Sequence, residues 1–100
     1  MYAGIKYKYP DRVPVIVKKA DKSRLPDIDR KKYLVPKDVT VGQFISIIRN
    51  RIKLDPSQAI FMFIDNELPS LSTPLVEVYD KYKDDDEALY VIYTGENTFG

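Results

Sequence analysis

The chain reads as an α+β domain: a four-stranded mixed sheet, helices packed on one of its faces, and a flexible tail at the C-terminal end. Three observations predict this. Apolar, β-branched or aromatic runs of strand length occur at residues 12–18, 33–35, 60–64 and 89–94. Two further segments, beginning at Val41 and Leu75, repeat apolar residues at helical spacing. The resulting order is strand, strand, helix, strand, helix, strand, which gathers the helices on one side of a single sheet.

Each element has a local cause. Ile5-Lys-Tyr-Lys-Tyr9 is too short for a stable helix of its own, and Pro10-Asp11 breaks what precedes it. Arg12-Val-Pro-Val-Ile-Val-Lys18 is the first strand, because four of its seven residues are β-branched. Pro14 costs little near the start of a strand but is poorly tolerated where a strand is paired on both sides. Residues 19–31 are charged, contain Pro26, and form a connection. Tyr33-Leu-Val35 is a second strand, ended by Pro36 and the turn Lys37-Asp38.

Val41, Phe44, Ile45, Ile48 and Ile52 form the buried stripe of the clearest helix. Thr40 and Gln43 are spaced as a capping box, and Arg49, Arg51 and Lys53 suit the negative end of its dipole. Asp55-Pro56 ends it. Ile60-Phe-Met-Phe-Ile64 is a strand with little exposed face, followed by the turn at 65–67. Thr73-Pro74 predicts the second helix, Thr73 as cap and Pro74 at the first helical position. Leu75, Val78, Tyr79 and Tyr82 line its apolar side, and the acidic run Asp84 to Glu87 stops it. Leu89-Tyr-Val-Ile-Tyr-Thr94 is the last strand, and residues 95–100 form a polar tail. A mixed sheet with a helix across its concave face fits the β-grasp arrangement.

Composition narrows the chemistry. With no cysteine and no histidine among 100 residues, a cysteine nucleophile, a disulfide, a thiolate or imidazole metal site and a serine–histidine triad are all excluded. The carboxylates Asp27 with Asp29, and Asp84 to Asp86, sit in solvated connections, without the alternating ligands and central glycine of a calcium loop. The four glycines are scattered and make no phosphate loop. No enzyme, metal or cofactor is expected. No apolar run approaches the ~18 residues of a membrane span, and no signal-peptide pattern begins at Met1, so a cytosolic-type single domain is expected.

The net charge of +1 conceals an asymmetry. Residues 1–53 carry 14 Lys/Arg against 5 Asp/Glu, a balance of +9, and residues 54–100 carry 2 against 10, a balance of −8. Separate basic and acidic faces follow, each open to partners of opposite sign. Lys6-Tyr-Lys-Tyr9 interleaves cations with stacking groups, but a pI near 7.8 lies below the footprint of a nucleic-acid-binding domain, and none is expected.

Two features are sharper. Lys31-Lys-Tyr-Leu-Val-Pro36, with cations before it and proline after, has the marks of an edge strand, onto which a peptide can add as a further strand. Gly100 ends the chain with a carboxylate that no Cβ obstructs, a shape that threads a narrow enzyme cleft.

These residues also carry a resemblance. Arg12-Val-Pro-Val-Ile16, Pro26-Asp-Ile-Asp29, Lys32-Tyr-Leu-Val-Pro36, Val41-Gly-Gln-Phe44, Ile48-Arg49 with Arg51, and Glu96-Asn-Thr-Phe-Gly100 closely resemble the autophagy ubiquitin-like modifiers of the GABARAP and microtubule-associated light-chain family. The likeness runs from about Ile5 to Gly100. It implies a ubiquitin-like β-grasp domain over residues 10–94, preceded at 1–9 by a remnant of an N-terminal helical extension whose first helix is lacking. Residues 95–100 then form a conjugation tail, with Thr98 and Phe99 leading to Gly100.

By that resemblance Gly100 is joined to the amine of phosphatidylethanolamine by activating and conjugating enzymes, and a cysteine protease processes and deconjugates it. The chain then moves from the cytoplasm to autophagosomal and vacuolar or lysosomal membrane. Cargo receptors and adaptors bind through aromatic-x-x-aliphatic peptides. A first pocket is implied at Ile5, Pro14, Ile16, Lys32 and Leu34, and a second at Tyr33, Val35, Pro36, Phe44, Ile47 and Arg51. Arg12, Lys31 and Lys32 meet acidic residues flanking the peptide. Glu87-Ala88 stands where the family carries Gly-Phe or Phe-Phe, and Ala88 is expected to leave the floor of the first pocket wider or filled by a neighbour. A β-grasp scaffold that is never conjugated is the alternative.

Overall fold

The structure, a computed structural model, describes residues 8–96. Strands β1 (Arg12–Lys19) and β2 (Lys32–Pro36) are followed by helix α1 (Val41–Arg51), strand β3 (Phe61–Phe63), helix α2 (Leu75–Tyr82) and strand β4 (Leu89–Thr94). The four strands lie in the order β2-β1-β4-β3. β1 runs antiparallel to β2 and parallel to β4, and β3 is antiparallel to β4. This is the β-grasp order, with β2 and β3 at the two edges.

The period of two sorts the sheet's faces. Val13, Val15, Val17, Val35, Leu89, Val91 and Tyr93 are all buried, in one core with Val41, Phe44 and Ile48 of α1 and Leu75, Val78 and Tyr79 of α2. Leu34 and Tyr90, on the opposite face, are exposed. Both helices therefore cover the same face.

Pro14 lies in a strand paired on both sides, and register explains why it is tolerated. Val17 N–H donates to the Lys31 carbonyl at 2.8 Å and Lys37 N–H to the Asp11 carbonyl at 2.9 Å, which fixes the alternation of the β1–β2 ladder. Pro14, opposite Leu34, falls at a position whose backbone faces away from β2, while pairing with β4 begins only at Val15. The N–H it lacks has no ladder partner to lose.

Helix α1 starts as its sequence predicts. Thr40 Oγ1 accepts from Gln43 N–H at 3.1 Å, and Gln43 Oε1 accepts from Thr40 N–H at 2.9 Å. The remaining first-turn donors are also satisfied: Val41 and Gly42 donate to the carbonyls of Thr73 and Leu71, each at 2.9 Å. A Cβ on Gly42 would come within 3.1 Å of the Leu71 oxygen, so glycine permits that approach. The helix ends at Arg51, and Lys53 lies beyond it in the left-handed region at φ 55°.

Several boundaries differ from expectation, β1 among them, which runs one residue further to Lys19. Pro74 is the N-cap of α2 rather than its first helical residue, with ψ at 143° and no side-chain cap. Long-range bonds hold it extended: Pro74 bridges Thr40, and Leu75 N–H donates to the Val39 carbonyl at 2.8 Å. β3 is three residues rather than five, because Ile64 turns away from β4 to exchange bonds of 2.8 and 3.0 Å with Glu67 across Asp65 and Asn66, both at positive φ. β2 extends one residue each way, to Lys32 and Pro36, following its register with β1.

Candidate functional site

β2 is an edge strand, as its flanking lysines and proline imply. In the fixed alternation Lys32 and Leu34 turn their backbone N–H and C=O groups away from β1, toward the open edge. Pro36 closes that row, having no N–H and a carbonyl that accepts from Val39 N–H at 3.1 Å. The open edge is therefore two outward residues long, Lys32 and Leu34.

The side chains of β2 fall on two sides of this edge. On the outer side Pro14 stands opposite Leu34 and Ile16 opposite Lys32. These four line a cavity of about 190 Å³ together with Arg30 and Tyr33. On the inner side Tyr33 is half-buried and meets Phe44 edge to face, with centroids 5.7 Å apart. Val35 and Phe44 are core residues at 4% and 0% exposure, so a ligand would meet them only as a floor beneath Tyr33. Ile47 and Arg51, three and seven residues after Phe44, continue that side of α1 and are exposed, as is Pro36.

Charge collects around Tyr33. Arg51 forms a two-point pair with Asp29, Nε to Oδ1 at 2.9 Å and a terminal nitrogen to Oδ2 at 3.3 Å. The hydrogen bond from Arg51, then its charge, holds the Asp29 carboxyl below its usual range. The Arg30 guanidinium stands over the Tyr33 ring at 5.3 Å, and its Nε donates to the Lys32 carbonyl at 3.0 Å. Burial raises the Tyr33 phenol above its ordinary value, against the lowering influence of Arg51 and Arg30. The Tyr33 hydroxyl is buried and has no hydrogen-bond partner among the described residues.

Arg12 and Lys31 are not brought together. Arg12 pairs with Pro36 at one end of the edge, whereas Lys31 faces Val17 at the other, in a separate cavity of about 430 Å³ with Lys18, Lys19, Asp21 and Asp27. Ala88 is fully buried and does not line the 190 Å³ cavity. Ile5, Thr98, Phe99 and Gly100 lie outside the described residues, as does most of the segment 1–9. Sequence reasoning gave no role to Arg30 or Asp29, whose contacts with a carbonyl two residues on and with a helix far along the chain leave no periodic signal. Among the described residues no cluster of metal-ligating side chains occurs, and no helix is long and apolar enough to cross a membrane.

The strand order, with both helices on one face, defines a ubiquitin-like β-grasp protein. A family model described as autophagy protein Atg8, ubiquitin-like, matches residues 2–100, and the chain belongs to that family. It is 58% identical over 98 residues to Autophagy-related protein 8d of Arabidopsis thaliana, covering 98% of this chain and 82% of that protein. Autophagy-related protein 8 of Mycosarcoma maydis is 57% identical over 96 residues, covering 96% and 81%. The crystal structure of Trypanosoma brucei ATG8 superposes with a TM-score of 0.88 at 42% identity, covering 98% of this chain and 84% of that one.

Proposed function

We propose that this chain is a modifier of autophagy, not an enzyme, that is joined through Gly100 to the amine of phosphatidylethanolamine and reads aromatic-x-x-aliphatic peptides on β2. The observation that carries the peptide reading is the edge itself: Lys32 and Leu34 offer outward backbone groups between an outer cavity and an inner apolar floor. An added strand alternates its side chains between two faces. An aromatic residue would then enter among Pro14, Ile16, Lys32 and Leu34, and an aliphatic one would rest by Tyr33 and Ile47. Acidic residues flanking the motif would be steered by Lys31 and Lys32 at one end of the strand, and by Arg12 at the other.

Conjugation rests on family membership together with the Glu96-Asn-Thr-Phe-Gly100 motif. Because the chain has no cysteine, every thioester on the route would belong to the activating and conjugating enzymes, and deconjugation to a cysteine protease. The chain would pass from the cytoplasm to autophagosomal membrane, with cargo receptors and adaptors as its peptide partners. The first test incubates the chain with those enzymes, ATP and phosphatidylethanolamine vesicles. A lipid-sized mass increase is expected, and no increase, or the same increase in a chain lacking Gly100, overturns the conjugation reading. The second titrates an acidic Trp-x-x-Leu peptide against Lys32→Ala and Tyr33→Ala, and unchanged affinity in both rejects the assigned pockets.

A further inference from the structure

Residues 18–31 and 77–87 set opposite charge excesses at the two ends of β4. Because β1 and β4 are parallel, Lys18 and Lys19 stand beside Ile92 and Tyr93, where β4 runs out toward the tail. The segment between β1 and β2 closes over this end. Ala20 N–H donates to the Tyr93 carbonyl at 2.9 Å, and the Tyr93 hydroxyl donates to the Pro26 carbonyl at 2.7 Å. Gly95 lies against Leu25, whose Cδ2 is 3.3 Å from where a Cβ would stand.

Residues 18–31 hold six Lys/Arg against three Asp, and Lys18, Lys22, Arg24 and Lys31 are exposed. Asp21 and Asp27 are spanned by lysines at 3.7 and 3.0 Å, and Asp29 is held by Arg51. At the other end of the strand, residues 77–87 carry six Asp/Glu against two Lys and lead into Leu89. The two ends of a strand of this length lie roughly 17–20 Å apart. The small net charge thus conceals a molecule with a basic pole at the root of its tail and an acidic pole opposite.

We propose that the basic pole is a docking surface for an anionic phospholipid membrane, which sets the orientation of the lipid-joined chain. This rests on the conjugation reading, since Gly100 is four residues beyond Glu96 and four residues span at most roughly 14 Å. A lipid joined there keeps the pole within one to two Debye lengths of the headgroups at physiological salt, about 8 Å each. The acidic pole is then directed away by the same field, and the β2 edge stands sideways, open to peptides.

The test uses the unconjugated full chain, so that it can fail while conjugation stands. In flotation with phosphatidylcholine vesicles at low salt, adding phosphatidylserine is expected to carry the chain to the lipid fraction. Raising salt to about 1 M, where the Debye length falls to about 3 Å, is expected to release it. With about fivefold in affinity per cation near the surface, the double variant Lys22→Glu, Arg24→Glu is expected to weaken binding by at least about 25-fold. Asp85→Lys at the acidic pole is expected to bind no more weakly than the wild type. Equal partition onto the two vesicle types, or undiminished binding by the double variant, overturns the proposal. Absence of a phosphatidylserine preference, combined with a slower enzymatic mass shift in the double variant, also overturns it and assigns the pole to an acidic protein partner.

Discussion

Arg30 covers the start of the edge strand. Its Nε donates to the Lys32 carbonyl at 3.0 Å while its guanidinium rests over the Tyr33 ring. That carbonyl is one of the outward groups an added strand needs, so the side chain and an incoming peptide compete for the same acceptor. An exposed hydrogen bond of this kind is worth about 0.5–1 kcal/mol. Arg30→Lys keeps the charge that attracts acidic peptides but loses the fixed donor. Peptide affinity is expected to rise about two- to fivefold, measured by calorimetry. A weaker complex would mean that Arg30 assists the bound state instead.

The Tyr33 hydroxyl has no hydrogen-bond partner among the described residues, and burial without one costs free energy. Tyr33→Phe keeps the ring, its contact with Phe44 and its place under Arg30. The substitution is expected to leave stability unchanged or to raise it by about 1 kcal/mol, read from denaturant midpoints. Peptide affinity should hold, since the ring forms the pocket. A fall in affinity alone would show that the hydroxyl finds its partner on the ligand.

The capping box supplies a test of α1 independent of any ligand. Thr40→Ala removes the acceptor of the Gln43 N–H and is expected to cost about 1 kcal/mol. Gln43→Ala removes the acceptor of the Thr40 N–H, and since both bonds lie in the same exposed cap its cost should be similar. Thermal melts of the two single variants and the double variant should be non-additive, the double losing less than the sum, because each side chain orients the other's backbone donor. Strict additivity would mean that the two bonds form independently.

What the sequence made legible follows from how local each cause is. Thr40 and Gln43 sit three residues apart, and the β-branched run of β1 is its own evidence, so α1 and β1 are readable without the rest of the chain. The start of α2 is not, because Pro74 is held extended by Thr40, thirty-four residues earlier. The shortness of β3 depends equally on left-handed backbone at Asp65 and Asn66, which composition only hints at. At the candidate site, the lysines and proline around β2 mark an edge. The grouping of Pro14 with Leu34 and of Ile16 with Lys32 needs the strand register, which the family resemblance supplied and residue spacing could not. Arg30 escaped both routes, since a side chain folding back onto a nearby carbonyl follows no period.

Tyr93 links the root of the tail to alkaline stability. It is fully buried, donates to the Pro26 carbonyl at 2.7 Å, and its phenol is pushed up to about 12, mainly by burial and secondarily by the charge of Asp27. An unfolded tyrosine releases its proton near pH 10. Between about pH 10 and 12 the unfolded chain therefore binds fewer protons than the native one, and stability must fall as pH rises, by up to about 1.4 kcal/mol per pH unit from this group. Tyr33 and Tyr79, whose phenols are also raised chiefly by burial, act in the same direction. Tyr93→Phe loses the hydrogen bond and is expected to be less stable near neutral pH by about 1 kcal/mol. Its decline above pH 10 should nevertheless be shallower, so that the two stability curves converge toward pH 12. Urea titrations across that range decide the matter: parallel curves would place the alkaline sensitivity in other tyrosines and leave Tyr93 with a purely structural bond.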